Sequence, residues 1–92
     1  MSEIQRAVIF HGHVQGVGFR WKTSSVASQF NVRGWVRNES NGTVRCEMAG
    51  AQTEVEAFLS AIESAMPGHV DTREEASVLE GTIPSVGFEI RH

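Results

Sequence analysis

A single cysteine in 92 residues excludes an internal disulfide, so no covalent staple holds this chain and packing has to stabilise it. No apolar run approaches the length of a membrane span. The opening residues Met1-Ser2-Glu3-Ile4-Gln5-Arg6 lack the apolar stretch of a secretory leader, which makes a cytoplasmic location the expectation. Asn38-Glu39-Ser40 and Asn41-Gly42-Thr43 fit a glycosylation pattern, and without secretion they read as coincidence. Basic residues are few: eight Lys and Arg against eleven Asp and Glu give a formal net charge of −3. General nucleic-acid affinity needs clustered cations, so it is not expected here. Low-complexity tracts, repeats and linkers are also missing.

What remains is an ordinary globular composition, 40% hydrophobic and 21% charged, for one domain spanning 1–92. A chain this short buries roughly 60–65% of its unfolded surface, so nearly every periodic apolar position has to serve the core. Ile4 to His11, with Ala7-Val8-Ile9-Phe10 at its centre, reads as a strand covered in part on both faces. From Phe19 the period changes, and Phe19, Thr23, Val26, Ala27 and Phe30 fall on one helical face. Asn31 to Asn38 alternates again, with Val32, Gly34, Val36 and Asn38 on one side. Asn41-Gly42 marks a hairpin in which positive φ angles are expected. Thr43 to Ala49 returns with Val44, Cys46 and Met48 inward, and Arg45 and Glu47 outward. Thr53-Glu54-Val55-Glu56 reads as a capping box opening a second helix, whose stripe is Val55, Phe58, Leu59, Ile62 and Met66 and whose stop is Pro67-Gly68. A fourth strand starts near His69 or Val70, and a last one carries Val86, Phe88 and Ile90. Glu74 to Ser85 carries no clear period.

This order predicts an α+β, ferredoxin-like βαββαβ sandwich: an antiparallel sheet, two helices on one face and an extra C-terminal strand. A right-handed crossover makes the first two strands parallel, with the hairpin's third strand between them. Their C-terminal ends then share one sheet edge, two inter-strand spacings or roughly 10 Å apart. Asn38 closes one of those ends, and a glycine-rich loop leaves the other.

That loop is the most informative segment. Gly12-His13-Val14-Gln15-Gly16-Val17-Gly18-Phe19-Arg20 packs three glycines into seven residues between a strand and a helix. Backbone N–H groups, a helix N-terminus and a guanidinium converging on one point suit a phosphate-like anion. It is neither a Walker A loop, lacking Gly-Lys-Ser/Thr, nor a dinucleotide fingerprint, since Trp21 holds the third glycine's place. A cation at a helix N-terminus opposes the macrodipole by ~0.3–1 kcal/mol. Either a bound anion or a neighbouring carboxylate would account for Arg20. Asn38 reads as a turn-initiating residue or as the amide that orients a water; it cannot act as a base. His11 and His13 are spaced to share a strand face, but no third ligand completes a metal set, and His69 and His92 are uninformative alone. Cys46 reads as a small core residue. Trp35, between Arg33 and Arg37, reads as cation–π packing on the solvent face of the sheet, with a base-stacking RNA platform as the alternative.

The loop from Gly12 to Arg20, together with Gly34-Trp35-Val36-Arg37-Asn38, resembles the two motifs of the acylphosphatases, G-x-V-Q-G-V-x-F-R and G-W-V-x-N. The element order, the chain length and the ending Gly87-Phe88-Glu89-Ile90-Arg91 fit as well. The resemblance implies hydrolysis of acyl phosphates to a carboxylate and inorganic phosphate. It implies Arg20 and Asn38 as the catalytic pair and His13, Val14, Gln15, Gly16, Val17 and Gly18, with Arg20, as the phosphate cradle. No metal and no cofactor is implied. A standalone monomer without nucleic-acid or membrane partners is the expectation. A non-catalytic anion-binding module and a ferredoxin-like RNA binder remain as alternatives, and Glu39, directly after Asn38, is a charge that could weaken anion binding.

Overall fold

The computed structural model describes residues 2–92. Its elements are β1 (Ile4–Gly12), α1 (Phe19–Ala27), β2 (Val32–Asn38), β3 (Val44–Gly50), α2 (Gln52–Ala65), β4 (Val70–Ala76) and β5 (Phe88–Arg91). β3 lies between β1 and β2 and is antiparallel to both, so β1 and β2 run one way and end at one edge, as the crossover argument requires. β4 adds to the free side of β1, and the sheet order is β4-β1-β3-β2-β5. This is the ferredoxin-like sandwich, with one change from expectation. β5 pairs parallel with β2, Gly34 opposite Phe88 and Arg37 opposite Arg91, so the sheet is mixed rather than wholly antiparallel. The reason is where β4 stops. It ends at Ala76 opposite Ala7, toward the end of the sheet where β2 begins. The chain then crosses the sheet, enters β5 beside the first half of β2 and runs with it.

Both helices cover one face. Val8, Phe10, Val36, Val44, Cys46 and Met48 from the strands meet Phe19, Val26, Val55, Phe58, Leu59 and Ile62 from the helices in one buried cluster. The 3.6 and 2.0 periods of the sequence place these residues. α1 ends at Ala27, so Phe30 sits in the turn beyond it, yet its ring still lies 6.3 Å from that of Phe58. The expected capping box does not form. β3 pairs as far as Gly50, leaving only extended Ala51 as a hinge, and α2 has already begun when Thr53 is reached. Glu54 instead accepts from the Asn31 N–H at 2.8 Å. In the hairpin only Gly42 has positive φ; Asn41 stays negative, and its Oδ1 accepts from the Thr43 N–H and hydroxyl.

The opposite face corrects two further expectations. Glu47 and Trp35 are both fully buried rather than turned to solvent. Residues 77–87 cross over them: the Glu47 carboxylate accepts from the Leu79 N–H (3.0 Å) and the Thr82 hydroxyl (2.7 Å), and the Gly34 N–H donates to the Gly87 carbonyl (3.0 Å). The indole of Trp35 packs against the guanidiniums of Arg37 and Arg91, while Arg33 turns away to Glu3 and the Pro84 carbonyl. A covered ring offers no face to a base.

Candidate active site

β1 ends in a bulge. Its register with β4 shifts between His11 and Gly12, and Gly12 takes φ 134° where a Cβ would collide with the His69 carbonyl oxygen. Only glycine lets the chain leave the sheet here. The loop that follows is tied down twice. His69 Nδ1–H donates to the His13 carbonyl at 2.9 Å, and the Gln15 carboxamide donates to the carbonyls of Glu39 and Thr43, both at 2.8 Å. Val14 is buried and Val17 packs against the core, so two side chains anchor the loop from beneath. Gly16 (φ 76°) and Gly18 (φ 77°) adopt left-handed backbone that other residues rarely take. Gly18 caps α1, its carbonyl accepting from the Lys22 N–H at 2.9 Å.

A cavity of about 300 Å³ opens beside this loop, lined by Gly16, Gly18, Arg20 and Asn38 together with Phe19, Trp21, Ile90 and His92. Arg20 from α1 and Asn38 from β2 thus reach one space, as the topology demanded. Of the remaining cradle residues, Gly16 and Gly18 line it. The side chains of His13, Val14, Gln15 and Val17 support the loop instead: the His13 ring stands 5.4 Å from that of His69, and the other three anchor as described.

Arg20 Nη1 donates to the Arg91 carbonyl (3.0 Å) and to His92 Nδ1 (3.1 Å). Both acceptors are uncharged. Among the described residues no side-chain carboxylate pairs with Arg20, which removes the structural alternative for its position and leaves Nε and Nη2 uncommitted. Asn38 is the last residue of β2, opposite Val44, and its carboxamide makes no hydrogen bond among the described residues. The turn instead uses the backbone of Glu39 and the side chain of Asn41, so Asn38 is not spent on initiating it. Glu39 points its carboxylate at Arg37 (3.0 Å), which answers its charge. His11 binds Glu74 at 2.8 Å instead of sharing a face with His13. Among the described residues no three His, Cys, Asp or Glu side chains gather as a metal would need.

Sequence reasoning missed Phe19, Trp21, Ile90 and His92 in the lining and His69 beneath the loop. Ile90 and His92 arrive through the crossing of residues 77–87, which carries no periodic signal.

The acylphosphatase family model matches residues 6–90. The acylphosphatase of Corynebacterium glutamicum (strain R) is 40% identical over 77 residues, covering 78% of this chain and 82% of its own. That of Thermococcus kodakarensis is 38% identical over 86 residues, covering 88% and 94%. The crystal structure of acylphosphatase from Bacillus subtilis superposes with a TM-score of 0.78 at 29% identity, over 99% of this chain and all of the other.

Proposed function

We infer the roles of individual residues from one premise: the chain belongs to the acylphosphatase family. It is a hydrolase that converts acyl phosphates, mixed anhydrides of a carboxylic and a phosphoric acid, into a carboxylate and inorganic phosphate. The roles follow from what that reaction needs. The leaving carboxylate is a stable anion and requires no general acid. The phosphoryl group requires its charged oxygens held and its nucleophile placed in line.

Arg20 holds the phosphoryl oxygens through its free edge, Nε and Nη2, while Nη1 stays fixed on Arg91 and His92. The backbone N–H groups of the loop from His13 to Gly18 complete the cradle, with the first turn of α1 adding its unpaired donors. Asn38 orients a water. The water oxygen bonds to phosphorus as the phosphorus–oxygen bond to the acyl group breaks, the acyl oxygen leaves with the electron pair, and the water proton passes to a phosphate oxygen. The observation that carries this assignment is the shared cavity: an arginine without a carboxylate partner and an uncommitted carboxamide on one wall system. We also propose that the protein acts as a cytoplasmic monomer on a small-molecule substrate, without nucleic acid, metal or cofactor. No described helix is long and apolar enough to cross a membrane.

Benzoyl phosphate hydrolysis in the presence of EDTA tests the assignment. Wild type turns over, and Arg20→Ala loses at least ~10²–10³ in rate, the cost of one preorganised donor. Arg20→Lys does not restore it, because a point charge cannot replace the fork. Asn38→Ala, shown folded by circular dichroism, falls to near background. Near-normal rates in these variants would refute the pair. No turnover by wild type, with phosphate still raising Tm, would leave an anion-binding module.

A further inference from the structure

Arg20 and the loop address the phosphate half of the substrate; two exposed apolar side chains line the same cavity. Trp21 is 64% exposed and Ile90 36%, although both line the same space as Arg20 and Asn38. Single exposed apolar residues are ordinary on a protein surface. Two that converge from different elements on a cavity holding a few oriented polar groups form the pattern of a ligand site. Trp21 sits in the first turn of α1, directly after Arg20, and the Lys22 ammonium stands 5.5 Å from its ring centroid. Ile90 lies in β5 opposite Val36, one residue before the carbonyl that holds Arg20. Among the described residues no Asp or Glu side chain lines the cavity. Its volume of about 300 Å³ exceeds what phosphate fills. A phosphate displaces about two or three waters, roughly 60–90 Å³, and the remainder suits a benzoyl-sized group.

We propose that Trp21 and Ile90 form an acyl-group subsite that selects substrates with a flat aromatic or bulky apolar acyl group over small or polar ones. The indole supplies a stacking face and the branched side chain a wall, so the acyl group leaves water as the phosphate docks on Arg20. The proposal rests on the catalytic assignment of Arg20 and Asn38.

Its test compares kcat/KM for benzoyl phosphate and acetyl phosphate in wild type, Trp21→Ala, Trp21→Phe and Ile90→Ser. Wild type favours benzoyl phosphate. Trp21→Ala lowers the benzoyl-to-acetyl ratio by about tenfold or more, the scale of a lost apolar contact in a pocket. Ile90→Ser lowers it less, and Trp21→Phe keeps most of it. Benzylphosphonate, which cannot be hydrolysed, quenches the emission of wild type but not of Trp21→Phe, where only the buried Trp35 remains. A ratio that stays put in Trp21→Ala, or equal losses on both substrates, would overturn the subsite while Asn38→Ala still abolishes turnover. Turnover that survives both Asn38→Ala and Arg20→Ala would overturn the catalytic assignment, and the subsite with it.

Discussion

The two faces of the sheet are held by different chemistry. Under the helices the contacts are apolar, from Val8 and Phe10 to Phe58 and Ile62, save for the buried hydroxyl of Thr23. Under residues 77–87 they are ionic and aromatic. Arg45, Arg37 and Arg91 stand directly opposite one another on β3, β2 and β5. Like charges so placed repel, and each is answered by a carboxylate two residues away along the chain: Arg45 by Glu47, Arg37 by Glu39, Arg91 by Glu89. Trp35 fills the space beside them, its ring 4.9 Å from the Arg37 guanidinium and 5.0 Å from that of Arg91, and its N–H donates to Thr82. The helix face stabilises by area alone and tolerates approximate partners. The opposite face depends on every polar atom finding its partner. It is also the face that secures Arg91, whose carbonyl fixes Arg20. One face makes the fold, and the other aims Arg20, the arginine we propose holds the phosphoryl group.

Truncation on each face separates these two jobs. Phe58 is fully buried, with the Phe88 ring 5.5 Å away, and Phe58→Ala costs about 3–5 kcal/mol in urea unfolding. The protein that remains folded keeps its rate, since Arg20 and its anchors are untouched. Glu47→Ala costs slightly less, about 3 kcal/mol, by removing the carboxylate that neutralises the largely buried Arg45 and accepts from the Leu79 N–H. It also loosens the crossing segment and lowers kcat in the folded fraction. Glu47→Gln, which keeps an acceptor oxygen, falls between Glu47→Ala and wild type. Equal effects of Phe58→Ala and Glu47→Ala on rate would erase the division of labour.

The same division explains what could be read from the amino-acid order. Val55, Phe58, Leu59 and Ile62 announce a buried helical stripe by spacing alone, and the glycines of the loop announce its site. Arg45 and Glu47 alternate with Val44, Cys46 and Met48, and an alternating charge reads as solvated. Nothing local says that a distant segment will cover it. Trp35 packs on Arg37, as its spacing suggests, but its second cation is Arg91, which reaches it through the parallel β5, and not Arg33. The crossing of residues 77–87 has no period to reveal it, so the contribution of Ile90 and His92 to the cavity stayed hidden with it.

Cys46 lies on the apolar face with Glu47 as its neighbour in sequence, and it makes the apolar face visible to pH. Burial, and then the Glu47 charge, push its thiol well above the ordinary value of 9.0. Folding therefore favours the protonated thiol. That preference is fully present below the unfolded pKa and is lost as pH rises through the alkaline range, by up to about 1.4 kcal/mol per pH unit. The chain has no tyrosine to titrate in the same window. Unfolding midpoints between pH 8 and 10 fall more steeply in wild type than in Cys46→Ala; parallel slopes would mean that the thiol is not held in the core.

The smallest effect belongs to the exposed rim of the polar face. Arg33 ties the crossing segment down through the Pro84 carbonyl (2.8 Å) and also pairs with Glu3 (2.6 Å). That hydrogen bond holds the Glu3 carboxyl below its ordinary value of 4.5. A depressed acid contributes stability above its unfolded pKa and loses it as pH falls through the folded one. The pair is open to water, so the contribution is slight and screened by salt. Glu3→Gln lowers Tm marginally at pH 7 and low ionic strength, and the difference from wild type vanishes at pH 3 or in 1 M salt. A difference as large as that of Glu47→Ala would show that burial is not what separates the strong ionic contacts of this face from the weak ones.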